Sequence, residues 1–269
     1  MCPNVDRYTH GHDGSVLASH RSRTAADSAA YLVPRLRAGM RLLDVGCGPG
    51  TISVDLASLV APGEAIALDR EESVLAEVER LAQARNLASL STAVGDVYAL
   101  PWADGAFDVV HAHQLLQHLT DPVAALREMR RVSRPGGLVA VRDADFGAMT
   151  WFPAEPRLDD WRRIYSTVAR VNGGEPDAGR RMLAWATEVG FANIEASAST
   201  WLFADAQRLG WWSETWAQRT TSSAFAEQAL RAGIATLGEL ERIAAAWRTW
   251  ASMPGAWFCV LHGEILATS

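Results

Sequence analysis

The sequence predicts an α/β fold in which a parallel sheet is covered by helices on both faces. Three observations carry that prediction. Residues 42–45, Leu42-Leu43-Asp44-Val45, form a short apolar run that stops abruptly at glycines on alternate positions, Gly46, Gly48 and Gly50, with helical spacing directly behind them. Downstream, short apolar runs alternate with amphipathic stretches through five β-then-α units, the pattern of parallel strands joined by crossover helices. The polar residues cluster at the ends of those runs, and open α/β sheets bind ligands across the carboxyl ends of their strands.

The elements follow in order. Residues 1–23 form an arm rich in histidine and arginine, including Tyr8, His10, His12, His20 and Arg23. Residues 24–37 read as a helix capped by Thr24, with a kink at Pro34. Leu42–Val45 is a buried strand, Gly46–Gly50 a tight turn, and residues 51–60 a helix with Ile52, Leu56 and Leu59 on one face. Glycine suits this turn because its backbone angles resist side chains and because a ligand there approaches the main chain closely. The first amides of the following helix favour an anionic group.

Ala65–Leu68 is a second strand ending at Asp69, followed by a helix over 71–85. Thr92–Val94 is a third, ending at Gly95-Asp96, and Phe107–Ala112 a fourth, leading into His113-Gln114. Asp121-Pro122 starts a helix that runs to Val132. A turn, Arg134-Pro135-Gly136-Gly137, precedes a fifth strand, Leu138–Val141, that leads into Asp143. Beyond it, helices over 157–171 and 182–189 and strands within 194–203 and 257–266 complete the chain.

Composition bounds the function. The chain has 269 residues, of which 49% are apolar, enough for one large domain spanning 1–269. Within it, 40–145 is the ligand-binding core and 144–177 and 204–256 are insertions. A net charge of −6 argues against a nucleic-acid partner. No apolar stretch is long enough to span a membrane, and the first 13 residues lack an apolar signal core, so a cytoplasmic protein, monomer or homodimer, is expected. The three cysteines suggest neither disulfides nor zinc. Ten of the eleven tryptophans lie beyond residue 150. Amphipathic stripes there, with Trp212 and Trp216 on one and Trp247 and Trp250 on another, read first as core.

The spacing of the first turn separates two ligands. A dinucleotide fingerprint, G-x-G-x-x-G, would need a glycine where Thr51 stands, which disfavours an NAD-dependent oxidoreductase. The G-x-G-x-G turn with an acid two residues before it, the acids Asp69 and Asp96 closing the next two strands, the His111-Ala112-His113-Gln114 strand end and the Arg131–Gly137 segment together resemble class I S-adenosylmethionine (SAM) dependent methyltransferases. The style is that of the ubiquinone/menaquinone C-methyltransferase-like group.

That resemblance implies a seven-stranded Rossmann-like sheet whose last strand is antiparallel. It also implies SAM as cofactor and a small-molecule methyl acceptor. Asp44, Gly46, Cys47, Gly48 and Gly50 would hold the methionine part. Asp69, with Arg70 beside it, would take the ribose hydroxyls, and Asp96 and Val97 the adenine. His113 would border the transferring methyl and is the candidate base. Tyr8, His12, Gln114, His118, Asp143, Trp151 and Trp211 are the candidate acceptor-binding residues, the arm and the 204–256 insertion forming a cover. Asp143-Ala144-Asp145 lacks a third ligand, so no metal is expected. The segment after the fourth strand is not the Asn/Asp-Pro-Pro-aromatic motif of nucleic-acid amino methylation. A cyclase or scaffold that binds the cofactor without methylating is the main rival.

Overall fold

The computed structural model describes Asp6, Tyr8, Thr9 and residues 14–269. Eight strands form one sheet: β1 (Leu42–Val45), β2 (Ala65–Asp69), β3 (Leu90–Val94), β4 (Phe107–His113), β5 (Ser133–Ala144), β6 (Thr150–Phe152), β7 (Asn193–Phe203) and β8 (Trp257–Thr268). The order is β3-β2-β1-β4-β5-β8, with β7 on the far edge of β8. The first five strands are parallel, and β8 runs antiparallel to β5 and β7. The expected seven strands are present. The eighth, β6, continues the line of β5 along the edge of β8 after a 3-10 turn at Phe146–Ala148.

Two apolar layers flank the sheet, as alternation dictates. On one face Leu43, Val45, Val110, Ala112, Val139 and Val141 pack against α5 (Pro122–Val132) and α7 (Ala178–Val189). On the other, Leu42, Ala65, Val109 and Ala140 meet α2 (Ala25–Ser28) and α3 (Thr51–Val60), while Ala67 meets α4 (Glu72–Ala84). Asp121 caps α5 by accepting from the Ala124 amide, and Gly190 ends α7 in the left-handed conformation at φ 79°.

Two local expectations are corrected. The 24–37 helix is broken: Thr24 and Asp27 close a capping box, yet α2 ends at Ser28 and a separate 3-10 turn spans Val33–Arg35. Pro34 has no amide hydrogen to give, and its ring opposes the preceding helical turn, so the segment restarts rather than kinks. On α3, Leu59 is exposed and Val60 takes the inward place, because the buried face is set by the sheet below it.

The insertions build a third core. Helices α6 (Pro156–Val171), α8 (Ala206–Ser222), α9 (Ala224–Arg231) and α10 (Leu237–Trp250) enclose Trp161, Tyr165, Trp212, Trp216, Trp247 and Trp250 together with Phe258 of β8. The rings meet largely edge to face, as Trp161 does with Trp216 at 4.5 Å and with Trp247 at 5.0 Å. The remaining short helix, α1 (Gly14–Arg21), is tied to α8, where Arg219 donates to Ser19 Oγ at 2.6 Å. No helix among the described residues is long and apolar enough to cross a membrane.

Candidate active site

The strand order reverses between β1 and β4, and the crevice at such a switch point is where a doubly wound sheet binds its ligand. A cavity of about 520 Å³ opens there, within the range of small-molecule sites. It is lined by the ends of β1, β2 and β4, the loops after them, and Asp6, Tyr8, His20 and Arg23 from the arm.

The glycine turn is held from below. Leu68 O accepts the amides of Gly46 at 2.8 Å and Cys47 at 3.0 Å. Gly46, Gly48 and Gly50 all have positive φ, at 71°, 53° and 80°. Their surroundings differ. A Cβ on Gly48 would meet only His20 Nδ1 at 3.9 Å, within the cavity, whereas one on Gly50 would press on Val78 Cγ2 at 2.6 Å. Gly46, Cys47 and Gly48 line the cavity, and Gly50, expected among the ligand contacts, does not. It serves instead as the close-packed N-cap of α3 against α4.

Asp44 sits buried beneath the turn. Ser53 Oγ donates to one carboxylate oxygen at 2.5 Å, and His111 Nδ1, facing the other at 2.7 Å, must carry the hydrogen because a carboxylate only accepts. Asp69 accepts the Gly48 amide at 2.9 Å on one oxygen and the Glu71 amide at 3.0 Å on the other. A carboxylate has about four lone-pair sites, so each oxygen keeps one for a further donor. Asp96 accepts from the Tyr98 amide at 3.0 Å beside buried Val97. Arg70 lines the same wall.

At the other end lie His113, Gln114 and His118. Gln114 has a positive φ of 51°, which turns the chain out of β4, and its side-chain nitrogen lies 2.9 Å from His262 Nε2. Neither ring nitrogen of His113 has a partner among the described residues. Burial first, then the cationic Arg23 and Arg142, hold its imidazole well below its usual value near 6.5, so it is neutral at physiological pH. Burial brings His118 down to about 3, and the Tyr8 ring lies edge-on to it at 4.7 Å. Burial pushes the Tyr8 phenol up to about 12.

The remaining acceptor-binding expectations fall elsewhere. Asp143 lies under the post-strand segment and accepts the Leu116 and Gln117 amides, each at 3.2 Å; burial raises its carboxyl to about 7. Trp151 stacks on Phe258 at 5.5 Å in the β6–β8 pair, and Trp211 packs on Phe203 and Trp212 in the helical core. Neither lines the cavity, because β6 and the helical core draw their rings away from it. His12 lies outside the described residues.

Three residues at the inner end had not been singled out: Arg142, Arg219 and His262. Two carried a signal. His262 and Glu264 occupy the inward-facing alternation of β8 with Phe258 and Val260, and Arg219 extends the apolar stripe of Trp212 and Trp216. A polar residue on an apolar face marks a buried polar site.

Comparison with known proteins identifies the family. Residues 36–207 match the family model described as a methyltransferase domain, and the chain belongs to that family. It is a SAM-dependent methyltransferase of class I. An uncharacterized methyltransferase of Schizosaccharomyces pombe is 35% identical over 96% of this chain and 95% of its own. A ubiquinone/menaquinone biosynthesis C-methyltransferase of Roseobacter denitrificans is 42% identical over 41% of this chain and 44% of its own. The solved Bacillus subtilis protein YcgJ shares the fold at a TM-score of 0.58 and 17% identity, covering 89% of this chain and 97% of its own.

Proposed function

We propose that this methyltransferase moves the methyl group of SAM to a small aromatic or hydrophobic metabolite, at oxygen or carbon. The observation that supports this reading is the polarity of the cavity. Asp44, Asp69, Glu71 and Asp96 line it around the glycine turn and the ends of β2 and β3, while His113 and His118, both held neutral, line it beyond β4 beside Asp6, with an indole-rich helical core behind them.

The residues fit the cofactor. Gly46, Cys47 and Gly48 leave the main chain bare for its methionine part, Asp69 keeps acceptor sites for ribose hydroxyls, and Asp96 with Val97 suits adenine. When bound, SAM supplies a methyl group already activated by the positive charge on sulfur. The chain then has to align the acceptor and accept or delocalise its proton. His113 offers an uncharged nitrogen to an incoming hydroxyl. Its depressed basicity makes it an orienting hydrogen-bond acceptor and a weak base. Asp143, the more basic carboxyl, is turned to the main chain of residues 116 and 117.

Incubation with methyl-labelled SAM and a panel of phenols, quinols and amines tests the proposal. Label on a phenol or quinol is the expected result. Label on amines alone would refute oxygen or carbon transfer. S-adenosylhomocysteine binding with no transfer to any of the panel would favour the non-methylating rival.

A further inference from the structure

Gln114 follows β4 in a conformation that few glutamines adopt. Its φ of 51° lies in the left-handed region, and its main-chain amide is tied to Arg142 O at 2.7 Å. Strain of this kind persists where the surroundings over-determine it, and it gathers at sites that handle ligands. The side chain stands between two spaces. It lines the main cavity and also a void of about 20 Å³ walled in part by Trp201, Trp212 and Trp216. A carboxamide placed there can present its nitrogen, which donates, or its oxygen, which accepts.

His262 removes that freedom. Gln114 Nε2 lies 2.9 Å from His262 Nε2; an amide nitrogen only donates, so the ring nitrogen accepts. A histidine can do this only while neutral. Burial first, then Arg142 and Arg23, hold this imidazole well below its usual value near 6.5. Nor can the ring swing away: it is fully buried on β8, 4.4 Å from the Trp201 ring and stacked with His113 at 6.3 Å. With the nitrogen committed to His262, Gln114 Oε1 is left over. It accepts no hydrogen bond among the described residues and is not sealed from solvent.

We propose that Gln114 Oε1 receives a hydroxyl hydrogen of the methyl acceptor, and that His262, two strands away in the sheet, is the positioning residue that keeps the amide turned for it. An ammonium would also donate a hydrogen. The field of Arg23 and Arg142, which already disfavours protonation of His113 and His262, opposes a second cation here and leaves the uncharged hydroxyl. This rests on the methyl-transfer reading and narrows its acceptor class.

Calorimetry at pH 7 on the full chain saturated with S-adenosylhomocysteine tests the inference, with 2-naphthol, 2-methoxynaphthalene and the cationic 2-naphthylmethylamine as probes. The expected result is naphthol binding about three- to tenfold tighter than its ether. His262→Phe keeps a ring beside Trp201 but offers no acceptor, and it should remove most of that preference while leaving S-adenosylhomocysteine affinity near wild type. His262→Gln, whose carbonyl oxygen can take over from the ring nitrogen, should restore the preference; a glutamine variant no better than the phenylalanine one would overturn the positioning role. If His262→Phe fails to fold, Gln114→Met decides: a lost preference supports the proposal and an unchanged one overturns it. Equal binding of naphthol and ether, no binding of naphthol, tighter binding of the amine, or a preference that survives His262→Phe would overturn it. So would loss of S-adenosylhomocysteine affinity in Gln114→Met, since Gln114 would then serve the cofactor. Failure of the methyl-transfer reading shows separately, as wild-type protein that does not bind S-adenosylhomocysteine.

Discussion

Alanine at Gly48 and at Gly50 should separate the two functions of the glycine turn. Both positions have positive φ, 53° and 80°, so a Cβ costs roughly 1–2 kcal/mol at either from the left-handed backbone alone. At Gly50 the new atom also lies 2.6, 2.9 and 3.0 Å from three carbons of the fully buried Val78. Overpacking of that kind adds roughly 1–3 kcal/mol, so Gly50→Ala should lose about 2–5 kcal/mol in all. Gly48 has only His20 Nδ1 at 3.9 Å, and its Cβ enters the cavity. Gly48→Ala should therefore lose only the backbone cost yet weaken S-adenosylhomocysteine binding by roughly tenfold or more, about 1.4 kcal/mol. Urea unfolding and calorimetry on both variants measure the two quantities. Adding Val78→Ala to Gly50→Ala should recover part of the steric cost as a coupling energy. Equal stability losses at the two sites would show that strain in φ, and not contact with Val78, sets the cost. Wild-type cofactor affinity in Gly48→Ala would refute the cradle.

Three further outcomes are expected. Asp69→Ala should weaken S-adenosylhomocysteine binding by roughly 1–3 kcal/mol, since it removes a ribose acceptor and the anchor of the Gly48 amide; unchanged affinity would remove Asp69 from the site. Trp216→Ala should cost roughly 3–5 kcal/mol as a core truncation, and Trp211→Ala distinctly less without moving acceptor KM, because Trp211 is only partly buried; equal losses in thermal melts would contradict this packing. Stability should also fall as pH drops from 7 to 5. His113, His118 and His262 are held neutral in the folded chain but take up protons near 6.5 once unfolded, whereas Asp143, raised to about 7, acts in the opposite sense. The net uptake of protons on unfolding grows from near zero at pH 7 to about two at pH 5, so the slope steepens to roughly 2–3 kcal/mol per pH unit at the acid end. Urea midpoints at pH 7, 6 and 5 measure it, and rising stability in acid would refute the burial of these rings.

The sequence by itself determined the first half of the fold and the strand ends that meet at the crevice. Buried strands read as apolar runs, crossover helices as amphipathic periods, and the glycine turn as three glycines, because each of those signals is local. Asp69, Asp96 and His113 could be placed at the crevice from their position at or just past a strand end, and Asp44 from its place two residues before the first glycine. What lay beyond local reach was decided by tertiary structure. Gly46, Gly48 and Gly50 look alike in sequence, yet the helix packed behind the turn makes Gly50 a packing residue. Trp211 and Trp216 are five residues apart on one helix, and only the docking of α8 on α6 and α10 shows that neither reaches the main cavity. Asp143 ends its strand as Asp69 does, but the segment after β4 folds over it and takes its carboxylate. The inner wall gathers Arg23, Arg142, Arg219 and His262 from the arm, β5, α8 and β8. That gathering exists only when residues far apart in the chain are brought together, and no periodicity in a single segment encodes it.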